Sequence, residues 1–414
     1  MSQKEIQKYA AITQCLQGQC TTQEAARIMG LSLRQAYRLK QKVREKGVKG
    51  MMHGNRGRTS PRRLPEELRD QILTLARGKY RGFNDTHMGE KLAAVEGLSL
   101  SRATLRTLLR EARILSPCTH RPVRHRSRRE RRPQEGFMLL LDGSPHDWLE
   151  GRGPSMCLVA AIDDATNRVP WAHFEEVEDA ASYLRLLREV IRRQGIPLSV
   201  YTDCHSIFAV TRKSWTLEEE LAGRQQSTQV ARALEELGIQ LILARSPQAK
   251  GRIERLFRTL QDRLLSELRL AGEKTRQEAN AFLHDSFLPT YNERFAKPPL
   301  QTQKAYRSVP RGLDLDRTLS FAYSATVGND HTVRIAHQIL DIPPGPHRCS
   351  YAKAKVTVHQ LLDGSWRVYH QDRLLLERPA AEANPLLRTL KRPRVGRSYR
   401  SFMDLHSQPL PSGG

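Results

Sequence analysis

Apolar residues recur three and four positions apart through the N-terminal region, then give way to continuous and alternating runs further on. Ile6, Tyr9, Ala10 and Leu16 mark a first helix. Thr21-Thr22-Gln23-Glu24 is a capping box opening a second, Glu24 to Met29. Ser32-Leu33-Arg34-Gln35 opens a third that runs to about Lys46, after a Gly30-Leu31-Ser32 turn. A short helix, a glycine turn and a basic helix predict a helix-turn-helix over 1–47, with a plain three-helix bundle as the blander reading. A second helical pattern fills 64–115: Leu64, Leu68, Ile72 and Leu75 form one stripe, and Met88, Leu92, Leu98, Leu105, Leu108 and Leu109 complete a small core. Its last helix carries Arg102, Arg106, Arg110 and Arg113 and looks like a second helix-turn-helix, or a purely structural unit.

The pattern changes at Phe137-Met138-Leu139-Leu140-Leu141, a continuous apolar run that predicts a buried strand ending in Asp142. Strands follow at 156–163, 169–174, 198–203 and 239–245, and helices at 179–193, 228–237 and 250–269. Three neighbouring strands and then alternation predict a central α/β core over 135–300, a mixed sheet with helices on both faces. The stretch 209–227 is extra and reads as a surface insertion. Between 320 and 380 short alternating runs with Asp363-Gly364 as a hairpin turn predict a small SH3-like β-barrel. The stretches 48–63 and 116–134 have little to bury and read as a basic and an Arg-rich linker, and the tail at 393–414 reads as disordered.

Charge adds a partner. The 414 residues hold 68 Lys+Arg against 44 Asp+Glu, a formal net charge of +24. Such an excess needs a polyanion or many counterions, and nucleic acid is the expected partner. An unusually basic enzyme is the alternative. The third helix offers Arg34, Arg38 and Lys42, the second module Arg102 and Arg106, and the 116–134 linker Arg126 and Arg128, all as DNA contacts or solvated charges. Six cysteines lack C-x-x-C spacing, which points to a reducing compartment and away from a zinc site. With no signal peptide and no long apolar run, the chain reads as soluble and intracellular, with no membrane partner.

Candidate chemistry lies in three acids. Asp142 and Asp203 end predicted strands, and Glu254 falls in the first turns of the helix that Leu256, Leu260, Leu264 and Leu268 define. Acids so placed can converge as oxygen ligands for a hard divalent cation; a lone Glu on a helix is otherwise a solvated charge. Asp163 and Asp164 lie in good turn chemistry and read as structural, and Asp147 as non-catalytic. His146 and His205 are poor ligands where hard oxygens are wanted. Lys250, Arg252 and Arg255 flank Glu254 as candidate phosphate contacts or a solvated helix face.

These pieces resemble, in order, those of insertion-sequence transposases of the DDE superfamily, which has an RNase H-like core; the ISNCY group is most similar. The carriers are Leu141-Asp142-Gly143-Ser144-Pro145-His146-Asp147-Trp148, Ala161 to Thr166, Asp203-Cys204-His205-Ser206-Ile207-Phe208, Ser246 to Arg255, and Tyr291-Asn292-Glu293-Arg294-Phe295. The resemblance implies Asp142, Asp203 and Glu254 as catalytic and metal-holding residues, with Asp142 bridging two Mg²⁺ ions (Mn²⁺ as a substitute). It implies nicking at the 3′ ends of the element and strand transfer to target double-stranded DNA. It also implies a homodimer or larger assembly in a prokaryotic cytoplasm, associated with the nucleoid. Two departures stand out: Cys204, where the group carries Lys, and an Asp203-to-Glu254 interval of 254 − 203 = 51, longer than is usual. A catalytically impaired DNA-binding protein with the same domains stays open, as does a structure-selective nuclease of the RNase H-like class.

Overall fold

In the computed structural model the described residues are 3–51, 64–117, 130–210, 227–244, 251–335, 338–345 and 349–380. They divide into two compact units, Met1–Leu75 and Ala76–Gly414, and the boundary falls inside a helix, Glu66–Arg77.

The first unit opens with α1 (Gln3–Leu16), α2 (Thr22–Met29) and α3 (Leu33–Lys46). Both predicted capping boxes form: Thr21 with Glu24, and Ser32 with Gln35. Gly30 ends α2 at φ 63°, a left-handed turn that glycine adopts without strain. Ile12, Val43 and Met51 form the centre of its core. The helix across the boundary, Glu66–Arg77, is α4.

The second unit opens with α5 (Asp85–Ala94) and α6 (Arg102–Glu111). Its centre is a five-stranded sheet of β1 (Met138–His146), β2 (Met156–Asp163), β3 (Trp171–Glu175), β4 (Ser199–Thr202) and β5 (Gln240–Leu243), in the order β3-β2-β1-β4-β5. The β1–β2 and β2–β3 pairs are antiparallel, whereas β1–β4 and β4–β5 are parallel. The sheet is therefore mixed, as the element order predicts. One face packs on α7 (Ala180–Gln194) and α8 (Gln229–Glu236) through Leu139, Leu141, Val159 and Val200. The other packs on α9 (Gly251–Ala271) and on α10 (Arg276–Phe282), a π-helical turn (Leu283–Phe287) and α11 (Leu288–Phe295), through Leu140, Trp148, Leu158 and Phe174. Burial on both faces explains why β1 reads as a continuous apolar run.

The edge strand β3 is closed by side chains. Asn292 donates to the Val169 carbonyl at 2.9 Å and accepts the Val169 N–H at 2.8 Å. Asn280 grips Phe174 the same way, at 3.1 and 2.7 Å. Between them His284 Nε2 donates to the Ala172 carbonyl at 2.8 Å while its ring stacks on Trp171. These bonds satisfy backbone groups that a free edge would expose.

After α12 (Leu315–Thr318) come β6 (Phe321–Thr326), β7 (Thr332–Ile335), β8 (Gln338–Asp341), β9 (Lys355–Gln360), β10 (Trp366–His370) and β11 (Arg373–Arg378). The expected strands are present, but among the described residues they make two open sheets, β11-β10-β9-β6 and β7-β8, and no closed barrel. Gln229 of α8 clasps the edge of β6, donating to the Ala322 carbonyl and accepting its N–H, both at 2.9 Å. No helix among the described residues is long and apolar enough to cross a membrane.

His359 of β9 is buried, and its Nδ1 lies 2.8 Å from Ser320 Oγ, which itself donates to the Arg317 carbonyl. Burial, with Arg232 and Arg317 nearby, pushes the imidazole down from 6.5 to about 4. Between those values the unfolded chain binds the extra proton, so stability is whole above 6.5 and falls as pH drops toward 4. Protection of β6 and β9 amides against hydrogen exchange, taken relative to the intrinsic rate at each pH, is expected to fall as pH drops through that window, and His359→Gln to flatten the change. Equal protection across the window would remove His359 as the cause.

Candidate active site

Asp142 lies within β1, four residues before its end, rather than at a strand terminus as the sequence suggests. The reason is pairing: β1 continues antiparallel to β2 through His146↔Met156, while its parallel pairing with β4 is last seen at Leu140↔Tyr201. Carrying that register two residues onward sets Asp142 level with Asp203, the residue directly after β4. Both carboxylates are half-buried. One Asp203 oxygen accepts the His205 N–H at 3.1 Å, which fixes the turn out of the strand. Cys204 is exposed, and its thiol donates to the Ala244 carbonyl at 3.5 Å, just past β5.

Glu254 is exposed in the first turn of α9. The helix is held down on one side by Ile253, Leu256, Phe257, Leu260, Leu264 and Leu268. Two further bonds set its position. Arg252 pairs with Asp164, whose side chain is fully buried. Gln261 Nε2 donates to Ser144 Oγ at 3.1 Å. Gln261 lies seven residues after Glu254, about two helical turns, so both share one helix face. Ser144 lies two residues after Asp142 and shares its side of β1.

Asp163 and Asp164, expected to be structural, are both engaged in protein hydrogen bonds. Asp163 accepts the Gly136 N–H and both the N–H and hydroxyl of Thr166, each at 2.8 Å; burial nevertheless holds its pKa above the usual carboxylate range. Asp164 accepts the Arg132 N–H at 2.9 Å as well as Arg252. Arg252, expected to face phosphate or solvent, is thus engaged in a protein ion pair. Arg255 is exposed. Arg126, Arg128 and Lys250 lie outside the described residues, as do most of the expected insertion and the tail. Arg34, Arg38, Lys42, Arg102 and Arg106 are all exposed.

Glu178 was not singled out by sequence. Its carboxyl carbon lies where a Cβ on Gly143 would approach to 2.5 Å, so a larger residue at 143 would have to displace the Glu178 side chain. Tyr183 donates to Glu178 Oε1 at 2.6 Å. Burial and the neighbouring Glu178, with Asp142 also close, push the Cys157 thiol up to about 12 and raise the Tyr183 phenol. No local pattern marks this residue, because apart from Tyr183 its neighbours come from strands distant in sequence.

Oxygen-only donors such as Asp142 and Asp203 suit a hard divalent cation. Among the described residues no group of three or more His, Cys, Asp or Glu is arranged to hold a metal ion.

The second helical module meets α9 through charge. His87 and Lys91 of α5 both reach Glu267 at 2.7 Å, Glu90 takes Arg263 at 2.7 Å and also pairs with Arg294, and Asn84 bonds Asp262.

Residues 8–70 match a family described as a winged helix-turn helix, a span that runs past α3 and into α4. Over longer spans, the transposase for insertion sequence IS1202 of Streptococcus pneumoniae is 30% identical over 416 aligned positions, covering 90% of this chain and 86% of its own length. The y4bF protein of Sinorhizobium fredii, described as a transposase, is 37% identical over 317, covering 77% of this chain and 67% of its own. The chain belongs to the insertion-sequence transposases. Among solved structures, a chain of a simian T-cell lymphotropic virus intasome in complex with the PP2A regulatory subunit B56 gamma aligns with 75% of the transposase and 99% of its own length. The identity is 13% and the TM-score 0.31, too low to argue from.

Proposed function

We propose that this transposase cuts the 3′ ends of its own insertion element and joins them to target DNA by metal-dependent phosphoryl transfer. Asp142, Asp203 and Glu254 are its acids. The observation that carries the reading is the parallel pairing of β1 with β4, whose register, carried two residues past Leu140↔Tyr201, sets Asp142 level with Asp203 just after β4. The common face of Glu254 and Gln261, with Gln261 reaching Ser144 beside Asp142, supports Glu254 as the third.

Asp142 and Asp203 would hold the divalent ions, Mg²⁺ with Mn²⁺ as a substitute, and Glu254 would complete the set. Two such ions activate the attacking hydroxyl and stabilise the leaving oxygen. The protein's own part is positioning. Asp203 is fixed by its turn, Asp142 by pairing on β2, and Glu254 by the Arg252–Asp164 pair one turn-edge away.

The helix-turn-helix at 1–47 and the second module at 64–115 would read the terminal inverted repeats, and the linkers at 48–63 and 116–134 would follow phosphates. The 135–300 core would act, and the 320–380 region would serve DNA or subunit contact. Two ends must be held together, so a homodimer or larger assembly on nucleoid DNA is expected.

The test is an assay on labelled DNA carrying the element's own end, with and without Mg²⁺ or Mn²⁺. Metal-dependent nicking at the end followed by joining supports the reading. Tight, specific binding with no nicking would replace it with an inert DNA-binding protein and direct attention to Cys204.

A further inference from the structure

Two large apolar side chains stand out on the surface of the first unit. Leu33 is 45% exposed and Tyr37 58%, one turn apart on α3. At about 100° per residue, Leu33, Tyr37, Gln41, Arg34, Arg38 and Lys42 follow one another across roughly half the helix circumference. That arc lies opposite Ala36 and Val43, the buried side of α3. All six are exposed. The face therefore has an apolar margin, a central Gln and Arg, and a cationic margin. No acid occurs in α3 before Glu45.

This composition chooses its occupant. A second copy of the chain docked face to face would gather two sets of Arg34, Arg38 and Lys42 into one interface with no α3 acid on the face to offset them, since a two-fold contact repeats the same patch. Double-stranded DNA offers the complement: phosphates for the cationic margin and base edges for the rest. In the major groove thymine alone presents an apolar group, its C5-methyl. The N-terminal residues of a recognition helix are those that meet base edges, and Leu33 and Tyr37 lie in its first two turns.

We infer that Leu33 and Tyr37 are specificity-determining residues that read thymine methyl groups in the terminal repeat of the element, beside Arg34 and Arg38. This rests on the reading of that repeat as the DNA the first unit recognises.

The experiment replaces thymidine with 2′-deoxyuridine in the terminal repeat, which removes the methyls and leaves the base-pairing edges intact. Binding of the full chain is expected to weaken about 4-fold for each methyl contacted, the worth of one buried carbon. Leu33→Ala and Tyr37→Ser are expected to bind more weakly and to lose sensitivity to the uridine exchange at their own positions. Arg34→Ala should weaken binding yet keep that sensitivity. The variants alter exposed positions, and circular dichroism checks that they fold. Specific binding that is indifferent to the methyls in the wild type would overturn the inference and leave repeat recognition standing. No preference for the repeat over unrelated DNA would overturn both. Loss of self-association in Leu33→Ala and Tyr37→Ser, with methyl sensitivity unchanged, would overturn it in favour of a contact between copies.

Discussion

Glu254→Gln is expected to abolish end cleavage, by about 10³-fold or more, while DNA binding and thermal stability stay as in the wild type. The size follows from the chemistry. Charge stabilisation by bound divalent ions is worth several kcal/mol in the transition state, and each 1.36 kcal/mol is about tenfold in rate. Gln keeps the shape of Glu but not its charge, so an ion it helped to hold would be lost or misplaced. Stability should be untouched, because Glu254 is exposed and the anchorage of α9 comes from Ile253, Phe257, Leu260 and the bonds of Arg252 and Gln261. A Glu254→Gln protein that nicks the labelled end at the wild-type rate would remove Glu254 from the acids. One that loses binding as well would show a different role for it.

Arg252→Met should unfold the second unit more easily, by about 3–5 kcal/mol. Asp164 has no exposed side-chain surface, and Arg252 keeps only 13%. Removing the guanidinium leaves a carboxylate buried without its principal cation, and that is the costly case; a buried pair replaced as a whole often costs little. The double variant Arg252→Met/Asp164→Asn is therefore expected to recover much of the loss. Chemical denaturation of the three proteins measures both effects. Equal midpoints for wild type and Arg252→Met would show that the pair contributes nothing. A loss of DNA affinity without a loss of stability would return Arg252 to the phosphate contacts that sequence alone suggested.

What the sequence made legible was local. The capping boxes at Thr21 and Ser32, the apolar run ahead of Asp142 and the leucines behind Glu254 are patterns within one element, and each formed. That the sheet is mixed, with helices on both faces, followed from the order of elements, whereas its strand order came from the structure. Harder to read was anything made by polar side chains far apart in the chain. Glu178 against Gly143, Arg252 against Asp164, and the charged seam between α5 and α9 leave no periodicity behind. Asn292 was visible as part of a familiar segment, but its grip on Val169 was not. The end of β1 was misplaced for a related reason. The apolar run stops at Leu141, and it is the antiparallel pairing with β2 that continues the strand to His146.

The clasped edges carry a consequence for how copies of the chain can meet. A sheet margin is the simplest place for one protein to add a strand to another, by swapping, by fibril growth or by borrowing a partner's backbone. At β3 the outer positions of Ala172 and Phe174 are already taken by His284 and Asn280, with Asn292 holding Val169 just ahead of the strand, and at β6 Ala322 is taken by Gln229. An incoming strand would have to displace amide groups of its own host before making its first bond. Copies of the chain brought close together thus need not carry the aggregation hazard that two bare margins would impose.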